Sequence, residues 1–230
     1  VKQVQDETAL VAALGEIDPG AGSQQIAFID GSVANIEVLL QGIDPSVEVV
    51  LLQPDQDGVE QIAAALEGRT NIDAVHIISH GDSGQLSLGN SVLNSQSISG
   101  EHADELATIK SALSENADLL IYGCNFGAGE NGAMATDALA EATGADIAAS
   151  DDLTGAADLG GDWELEVVRG DLEAQAIEGA EYTGVLDSFT LGATAAPAVT
   201  LVNQSTIGGD IVGGVGSQAI WANAGVVELD

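Results

Sequence analysis

The stretch 74–81, AVHIISHG, gives the clearest indication of the fold of this chain. Apart from His76, residues 74–78 are apolar and mostly β-branched, a run typical of a strand that is buried on both faces of a parallel sheet. The run ends at His80 and Gly81, and a polar turn with the sequence DSG follows. The stretch therefore predicts a buried strand whose carboxyl end carries a histidine beside a glycine.

The rest of the first 150 residues alternates strand-like and helix-like segments. Further buried strands are predicted at 25–30 (QIAFID), 47–52 (VEVVLL), 119–122 (LLIY) and 145–149 (ADIAA). Helices are predicted at 33–43, 58–66, 103–113 and 132–143. Strands that alternate with helices imply βαβ units and a mainly parallel sheet covered on both faces. The predicted fold class is α/β, in the form of a three-layer αβα sandwich.

Antiparallel pieces are predicted to accompany the parallel sheet. Residues 86–93 (LSLGNSVL) alternate around a Gly-Asn pair and predict a β-hairpin. Residues 163–168 and 172–177 are predicted to form a second hairpin that closes the domain. From about residue 186 the composition turns to Gly, Ala, Thr and Val, which indicates a linker or the start of a β-rich unit. The predicted organisation is a lead-in over 1–23, the αβα domain over 24–185 and a β-rich extension over 186–230.

The chain is strongly acidic. It carries 4 Lys and Arg residues against 37 Asp and Glu residues, for a formal net charge of −33. Such a surface repels phosphate backbones and anionic lipid headgroups, so we expect no nucleic-acid partner. No apolar run approaches the roughly 20 residues that a membrane-spanning helix needs, so we expect no membrane insertion. The charge suits a cationic partner, a divalent metal or a salty extracellular setting, or it serves solubility alone.

No metal or cofactor is predicted. The acidic loops leave Ca²⁺ open as a ligand, but the calcium-loop pattern D-x-[DN]-x-[DN]-G-x₅-E does not occur, and residues 53–58 (QPDQDG) match only a fragment of it.

The chain begins at Val1 with neither a signal peptide nor a transit peptide. We therefore expect it to be a processed product or a piece of a longer protein.

Two predicted strands end in residues that can carry chemistry. One strand runs into His80 and Gly81, and another runs into Gly123 and Cys124, the only cysteine of the chain. Ligands of open α/β sheets bind at the carboxyl ends of the strands, so neighbouring strands would present imidazole and thiol together. An imidazole can activate a thiol as a nucleophile, and the N–H groups of Gly81 and Cys124 could stabilise an oxyanion. The alternative is a buried packing cysteine beside a surface histidine.

Two other interpretations are weaker. The tetrapeptide GDSG at residues 81–84 surrounds a nucleophilic serine in trypsin-like enzymes, which would make Ser83 reactive. Trypsin-like enzymes are built from many short strands, however, whereas strands and helices alternate here. GDSG is therefore predicted to be a turn. A nucleotide-binding doubly wound domain is the other alternative, but G-x-G-x-x-G does not follow the first strand.

The paired strand ends IISHG (77–81) and LLIYGC (119–124) resemble those of the caspase-like cysteine peptidases. This group includes legumain, gingipain, clostripain and the self-cleaving domains of bacterial toxins. The ordered set FID, VEVVLL, IISHG, LLIYGCNFG, GADIAASDDLTG and GGDWELE more closely resembles a bacterial domain catalogued without a function. That domain occurs near the N-termini of giant secreted or surface repeat proteins and adhesins, so the resemblance implies a secreted or cell-surface location within a larger bacterial protein.

The resemblance implies a role for each matching residue. His80 would be the general base and acid, Cys124 the nucleophile, and the backbones of Gly81 and Cys124 the oxyanion hole. Asp151 and Asp152 would line a substrate pocket that favours a basic side chain, or simply cap a turn. Asp30 would orient His80, or cap the end of its own strand. The partner would be a polypeptide substrate, including the parent chain itself. The alternative function is a non-catalytic module for folding, secretion or adhesion.

Overall fold

The computed structural model describes residues 23–179 and 181–187. Its main sheet has six strands in the order β2-β1-β3-β7-β8-β9. The strands are β1 (Gln25–Asp30), β2 (Glu48–Leu52), β3 (Ile72–Ile78), β7 (Leu113–Tyr122), β8 (Asp146–Ala149) and β9 (Val167–Arg169). All neighbouring pairs are parallel except β8 and β9, which are antiparallel at the edge. The predicted α/β class with a mainly parallel sheet is confirmed.

A small antiparallel sheet stands beside the main one. It comprises β4 (Gly81–Asp82), β5 (Gln85–Leu88) and β6 (Ser91–Asn94), in that order. β5 and β6 form the hairpin predicted around the Gly-Asn pair. β4 begins directly after His80, so the histidine lies at the junction between the main sheet and the small sheet.

Helices cover the sheet unequally on its two faces. They are α1 (Ile36–Leu39), which continues as a 3₁₀ turn (Leu40–Gly42), then α2 (Gly58–Leu66), α3 (Ser95–Ser99), α4 (Ala103–Ala112) and α5 (Gly129–Thr143). Successive side chains of a strand face opposite sides of the sheet, so each strand contributes to two cores. One core packs β-strand residues such as Phe28 and Ile77 against α2, α4 and α5.

The second core lies on the other face and has little helix. It packs Ile29, Ile78 and Tyr122 of the strands against α1 and against residues of the C-terminal segment such as Leu186. The helix predicted over 33–43 is therefore shorter than expected, and the layer on this face is completed by irregular chain. Leu186 belongs to the folded core of the domain.

The predicted hairpin between 163–168 and 172–177 is wrong. Only Val167–Arg169 forms a strand, and it pairs with β8 instead of with the segment that follows it. Trp163 instead packs its ring against Tyr122 and Tyr182, with ring centroids 5.8 Å away in both cases. Trp163 and Leu165 are partly buried against the second core, so this segment packs on the domain without pairing with the segment that follows it.

Parts of the predicted organisation lie outside the described residues. These are residues 1–22 of the lead-in and residues 188–230 of the predicted β-rich extension. Among the residues that are described, no helix is both long and apolar enough to cross a membrane.

Candidate active site

The two predicted site strands, β3 and β7, are neighbours in the sheet. Their register pairs Ile78 with Tyr122, and the Ser79 N–H donates to the Tyr122 carbonyl at 3.1 Å. His80 and Cys124 therefore each lie two residues beyond a paired position. The backbones that follow touch closely, because a Cβ built on Gly81 would stand 2.7 Å from the carbonyl carbon of Gly123. The sheet thus brings His80-Gly81 and Gly123-Cys124 to one place on its carboxyl edge.

His80 has one ring nitrogen directed at a backbone carbonyl. Its Nε2 lies 3.4 Å from the carbonyl oxygen of Ser32, which can only accept a hydrogen bond. This contact requires the proton of neutral His80 to be on Nε2. Nδ1 is buried and has no hydrogen-bond partner among residues 23–179 and 181–187. The unprotonated nitrogen is therefore the one that could accept a proton from a reacting group.

Asp30 caps the end of its own strand. Its Oδ1 accepts from the N–H of Ser32 at 2.8 Å and from the Ser32 hydroxyl at 2.5 Å, and its Oδ2 accepts from the Gly89 N–H at 2.5 Å. Neither oxygen is hydrogen-bonded to His80. Asp30 holds the turn whose Ser32 carbonyl faces the imidazole, so its connection to His80 is indirect.

Cys124 is completely buried, with 0% of its surface exposed. Its Sγ accepts from the Thr154 N–H at 3.3 Å, and the thiol donates to the Thr154 carbonyl at 3.6 Å. Burial raises the pKa of Cys124 to about 12, and the nearby negative charge of Asp187 acts in the same direction. The thiol is thus neutral at ordinary pH in this structure, and its hydrogen bonds are with the Thr154 backbone instead of His80.

Two backbone N–H groups at the site converge on a single carbonyl oxygen. Gly81 N–H donates to the Leu186 carbonyl at 3.0 Å, and Cys124 N–H donates to the same oxygen at 3.4 Å. These are the two N–H groups that the sequence analysis predicted as the donors of an oxyanion hole. A peptide carbonyl of this chain therefore already occupies the space between them.

The segment that carries this carbonyl is paired with the loop after β8. Leu186 N–H donates to the Thr154 carbonyl at 2.9 Å, and Ala156 N–H donates to the Gly184 carbonyl at 2.8 Å. Gly155 and Val185 form an antiparallel bridge between these bonds. The chain around Leu186 is thus held by isolated bridges, to residue 155 through Val185 and to Gly81 through Asp187, and Leu186 itself is 0% exposed.

The two aspartates predicted to line a substrate pocket are both exposed. Asp151 N–H donates to the Glu166 carboxylate at 3.0 Å. Asp152 lies with Asp162 and Glu166 in a group whose carboxylate oxygens are all within 4.8 Å of one another. Burial and these neighbouring carboxylates raise the pKa of Asp152. The structure therefore places the aspartates in an acidic surface cluster that could attract a cation.

Ser83 lies in the predicted turn, between β4 and β5. Gly84 there has φ of +69°, a left-handed conformation that glycine adopts without strain. The Ser83 hydroxyl donates to the Ala128 carbonyl at 2.7 Å and so ties the turn to the start of α5. Its contacts are those of a structural turn residue.

Several groups at the site could not be recognised from the sequence. The Ser32, Thr154 and Leu186 contributions come from backbone atoms, which carry no residue-type signal. For Leu186 a hint existed, since it ends the hydrophobic pair Val185-Leu186 directly before an acidic residue. That pattern is too common in proteins to have identified the site.

A family model for a domain of unknown function, DUF4347, matches residues 26–186. The chain belongs to this family. The match covers both His80 and Cys124 and ends at the leucine whose carbonyl lies between the two N–H donors. No curated protein matches the chain. The family assignment fixes the extent of the DUF4347 domain and leaves its chemistry to be inferred from the site.

Proposed function

We propose that this DUF4347 domain is a caspase-like cysteine endopeptidase that acts on its own parent chain, with Cys124 as nucleophile and His80 as general base and acid. The observation that carries the proposal is the convergence of the Gly81 and Cys124 N–H groups on one peptide carbonyl, at the residue that carries the thiol. Two donors aimed at a carbonyl oxygen are what acyl-transfer enzymes use to stabilise a tetrahedral oxyanion.

The histidine supports the same chemistry. Because Nε2 faces the Ser32 carbonyl and Nδ1 has no partner among the described residues, Nδ1 would take the thiol proton and return it to a leaving amine. Ser32 would act as the third group that orients the imidazole, a role that a carboxylate fills in other triads. The dyad would then need no charged partner.

A non-catalytic module is the second candidate, and one observation favours it. Cys124 is fully buried, and burial raises the pKa of Cys124 to about 12, whereas a working nucleophile needs a readily formed thiolate. In this alternative the thiol is a small core residue and the DUF4347 domain supports folding, secretion or adhesion of the longer protein. The bacterial secreted or cell-surface setting is part of both proposals.

The first prediction separates the two candidates by thiol reactivity. The purified chain would be incubated with a peptide acyloxymethyl ketone, and labelling would be measured by intact mass. We expect labelling of Cys124 in the wild type, none in Cys124→Ala, and a rate lower by about a hundredfold in His80→Ala, since a positioned general base contributes about 10²–10⁴-fold.

The matched control for His80→Ala is His102→Ala. His102 is buried, and its Nε2 lies 3.9 Å from an Asp57 carboxylate oxygen, so its loss perturbs the fold without removing the proposed base. Equal labelling of the wild type and His80→Ala, or neither labelling nor self-cleavage of a folded wild type, would refute the peptidase and leave the non-catalytic module.

A further inference from the structure

We propose that the bond cut by this domain in its own chain is Leu186–Asp187, and that the segment around Leu186 lies in the substrate position before cleavage. The inference rests on the proposed peptidase function and adds the cleavage site and the residue recognised there. In this proposal the structure represents the chain before it is cleaved.

The position of the Leu186 carbonyl is the first support. In a peptidase of this type the carbonyl oxygen of the scissile bond sits between the oxyanion-hole donors while its carbon faces the nucleophile. The oxygen between the Gly81 and Cys124 donors is that of Leu186, so the bond on its carboxyl side is the one presented. That bond joins Leu186 to Asp187.

The backbone pairing of the segment is the second support. Proteins often bind an extended peptide by pairing its backbone with their own, so that main-chain hydrogen bonds fix its register. Residues 184–186 make this contact with 154–156, through the Leu186 N–H to Thr154 and the Ala156 N–H to Gly184. The bond is thereby held in one register relative to Cys124.

An aromatic contact seats the chain just before this segment. Tyr182 is 3% exposed and packs edge-on against Trp163, with ring centroids 5.8 Å away. Trp163 in turn packs against Tyr122, the last residue of β7. Such pairs contribute beyond simple burial, so the chain leading to Leu186 is fixed to the strand that precedes Cys124.

The leucine side chain indicates the specificity. Leu186 is 0% exposed and belongs to the same buried apolar cluster as Cys124, Ile177 and Tyr182. The residue before the cut is therefore aliphatic, and a charged residue there would have to be desolvated among apolar side chains. This replaces the expectation of a basic residue that rested on Asp151 and Asp152.

Occupation by its own substrate also accounts for the buried thiol. The segment that carries Leu186 packs on the Cys124 side of the sheet, and the Asp187 charge next to the thiol disfavours a thiolate. Cleavage is expected to start slowly from this covered state. After the bond is cut, the segment that begins with Asp187 would leave the site. Its departure removes the negative charge that disfavours the Cys124 thiolate.

The reaction balances with water as the only co-reactant. The Cys124 proton passes to His80 Nδ1 as Sγ bonds to the Leu186 carbonyl carbon, and the electron pair moves to the oxygen held by the two N–H groups. Collapse breaks the Leu186–Asp187 bond, and the proton on His80 goes to the new amine of Asp187. Water then attacks the thioester, gives up a proton through His80, and leaves a Leu186 carboxylate and the free thiol.

The second prediction tests this bond directly. The full chain would be incubated at pH 7.5 and followed by intact mass and N-terminal sequencing. We expect one fragment that ends at Leu186 and one that begins with Asp187, and neither fragment from Cys124→Ala. In Leu186→Asp we expect the cleavage rate to fall by about a hundredfold, since mismatch in an apolar pocket costs at least that much.

Two further variants keep the test interpretable if Leu186→Asp fails to fold. Leu186→Met keeps an apolar side chain of similar volume and is expected to be cut at the same bond. Leu172→Asp is the matched control, since Leu172 is exposed and precedes an acidic residue in the same way, and it is expected to be cut like the wild type. Thermal melting would establish that each variant is folded.

The outcomes separate this inference from the proposed function. If the ketone labels Cys124 but no fragment begins at Asp187, the peptidase stands and the cleavage site is wrong. If cleavage occurs at another bond, or if Leu186→Asp is folded and cut as fast as the wild type, the site is likewise wrong. If neither labelling nor cleavage occurs, both proposals fail.

Discussion

The two histidines of the 74–81 stretch illustrate how environment decides a residue's role. His76 is 1% exposed, and its ring nitrogens contact the Tyr122 hydroxyl at 3.2 Å and the Gln25 amide oxygen at 3.1 Å. His80 lies at the strand end with one nitrogen unpartnered among the described residues. The first is a satisfied core residue, and the second has unused capacity to move a proton.

The third prediction follows from the burial of His76. Burial lowers the pKa of His76 from 6.5 to about 4, so between these values the unfolded chain binds the proton and the folded chain does not. The contribution of His76 to the free energy of unfolding is therefore full above pH 6.5. It decreases by up to about 3 kcal/mol as the pH falls towards 4.

Urea unfolding at pH 7, 5.5 and 4 would measure this loss. Since many carboxylates also titrate in that window, the test is the difference between the wild type and His76→Gln, which cannot titrate. The free energy of unfolding should fall more steeply with acid in the wild type. Parallel pH profiles in the two proteins would contradict the prediction.

At the scale of elements, the site depends on how closely β4 approaches the turn after β7. A Cβ on Gly81 would meet the Gly123 carbonyl carbon at 2.7 Å and the Cys124 carbonyl oxygen at 2.8 Å. Both are backbone atoms that cannot rotate away. The absence of a side chain at Gly81 is thus what allows two N–H donors from different elements to reach one oxygen.

The fourth prediction concerns this approach. Gly81→Ala should push β4 away from the turn, lower the free energy of unfolding by about 1–3 kcal/mol, and stop cleavage at Leu186–Asp187. Gly68→Ala is the control, because its φ of +77° also makes the substitution destabilising, while nothing lies within 4 Å of the added Cβ. Chemical denaturation and the fragment assay would measure the two effects. Cleavage of Gly81→Ala at the wild-type rate would contradict the argument.

The sequence predicted the strands of the main sheet better than it predicted the segment that follows β8. Each predicted buried strand overlaps an observed one, because each is a short apolar run bounded by Gly, Pro or polar residues. β1 (Gln25–Asp30) matches the predicted bounds fully, whereas β7 begins at Leu113, six residues before the predicted start. The pairing of His80 with Cys124 on neighbouring strands followed from parallel topology. The segment after β8 could not be predicted, since its course depends on the ring contacts of Trp163 and on backbone contacts made by Leu186.

At the scale of the whole molecule, charge opposes compactness. With 37 acidic and 4 basic residues, most carboxylates have no cationic partner available in the chain. In the described residues the ion pairs of Arg69 with Glu48 and Arg169 with Asp137 already use two of the basic side chains. The folded domain therefore carries a self-repulsion that screening should relieve.

The fifth prediction is a stabilisation by salt. Raising NaCl from 0.02 to 0.5 M should increase the melting temperature by a few degrees, equivalent to about 1 kcal/mol, because the Debye length shrinks below the spacing of many surface carboxylates. Sucrose of the same osmolality serves as the uncharged control. A melting temperature that is unchanged or lower in salt would show that repulsion does not limit stability.

The pairing of residues 184–186 with residues 154–156 has a consequence for the kinetics of cleavage. A peptide held by a few main-chain bonds and one leucine would dissociate readily if it were free in solution, because binding must offset lost translational and rotational freedom. The same peptide joined to the domain meets the site at a high effective concentration. Such an enzyme would choose its target by covalent attachment instead of affinity, act once per molecule, and proceed at a rate independent of protein concentration.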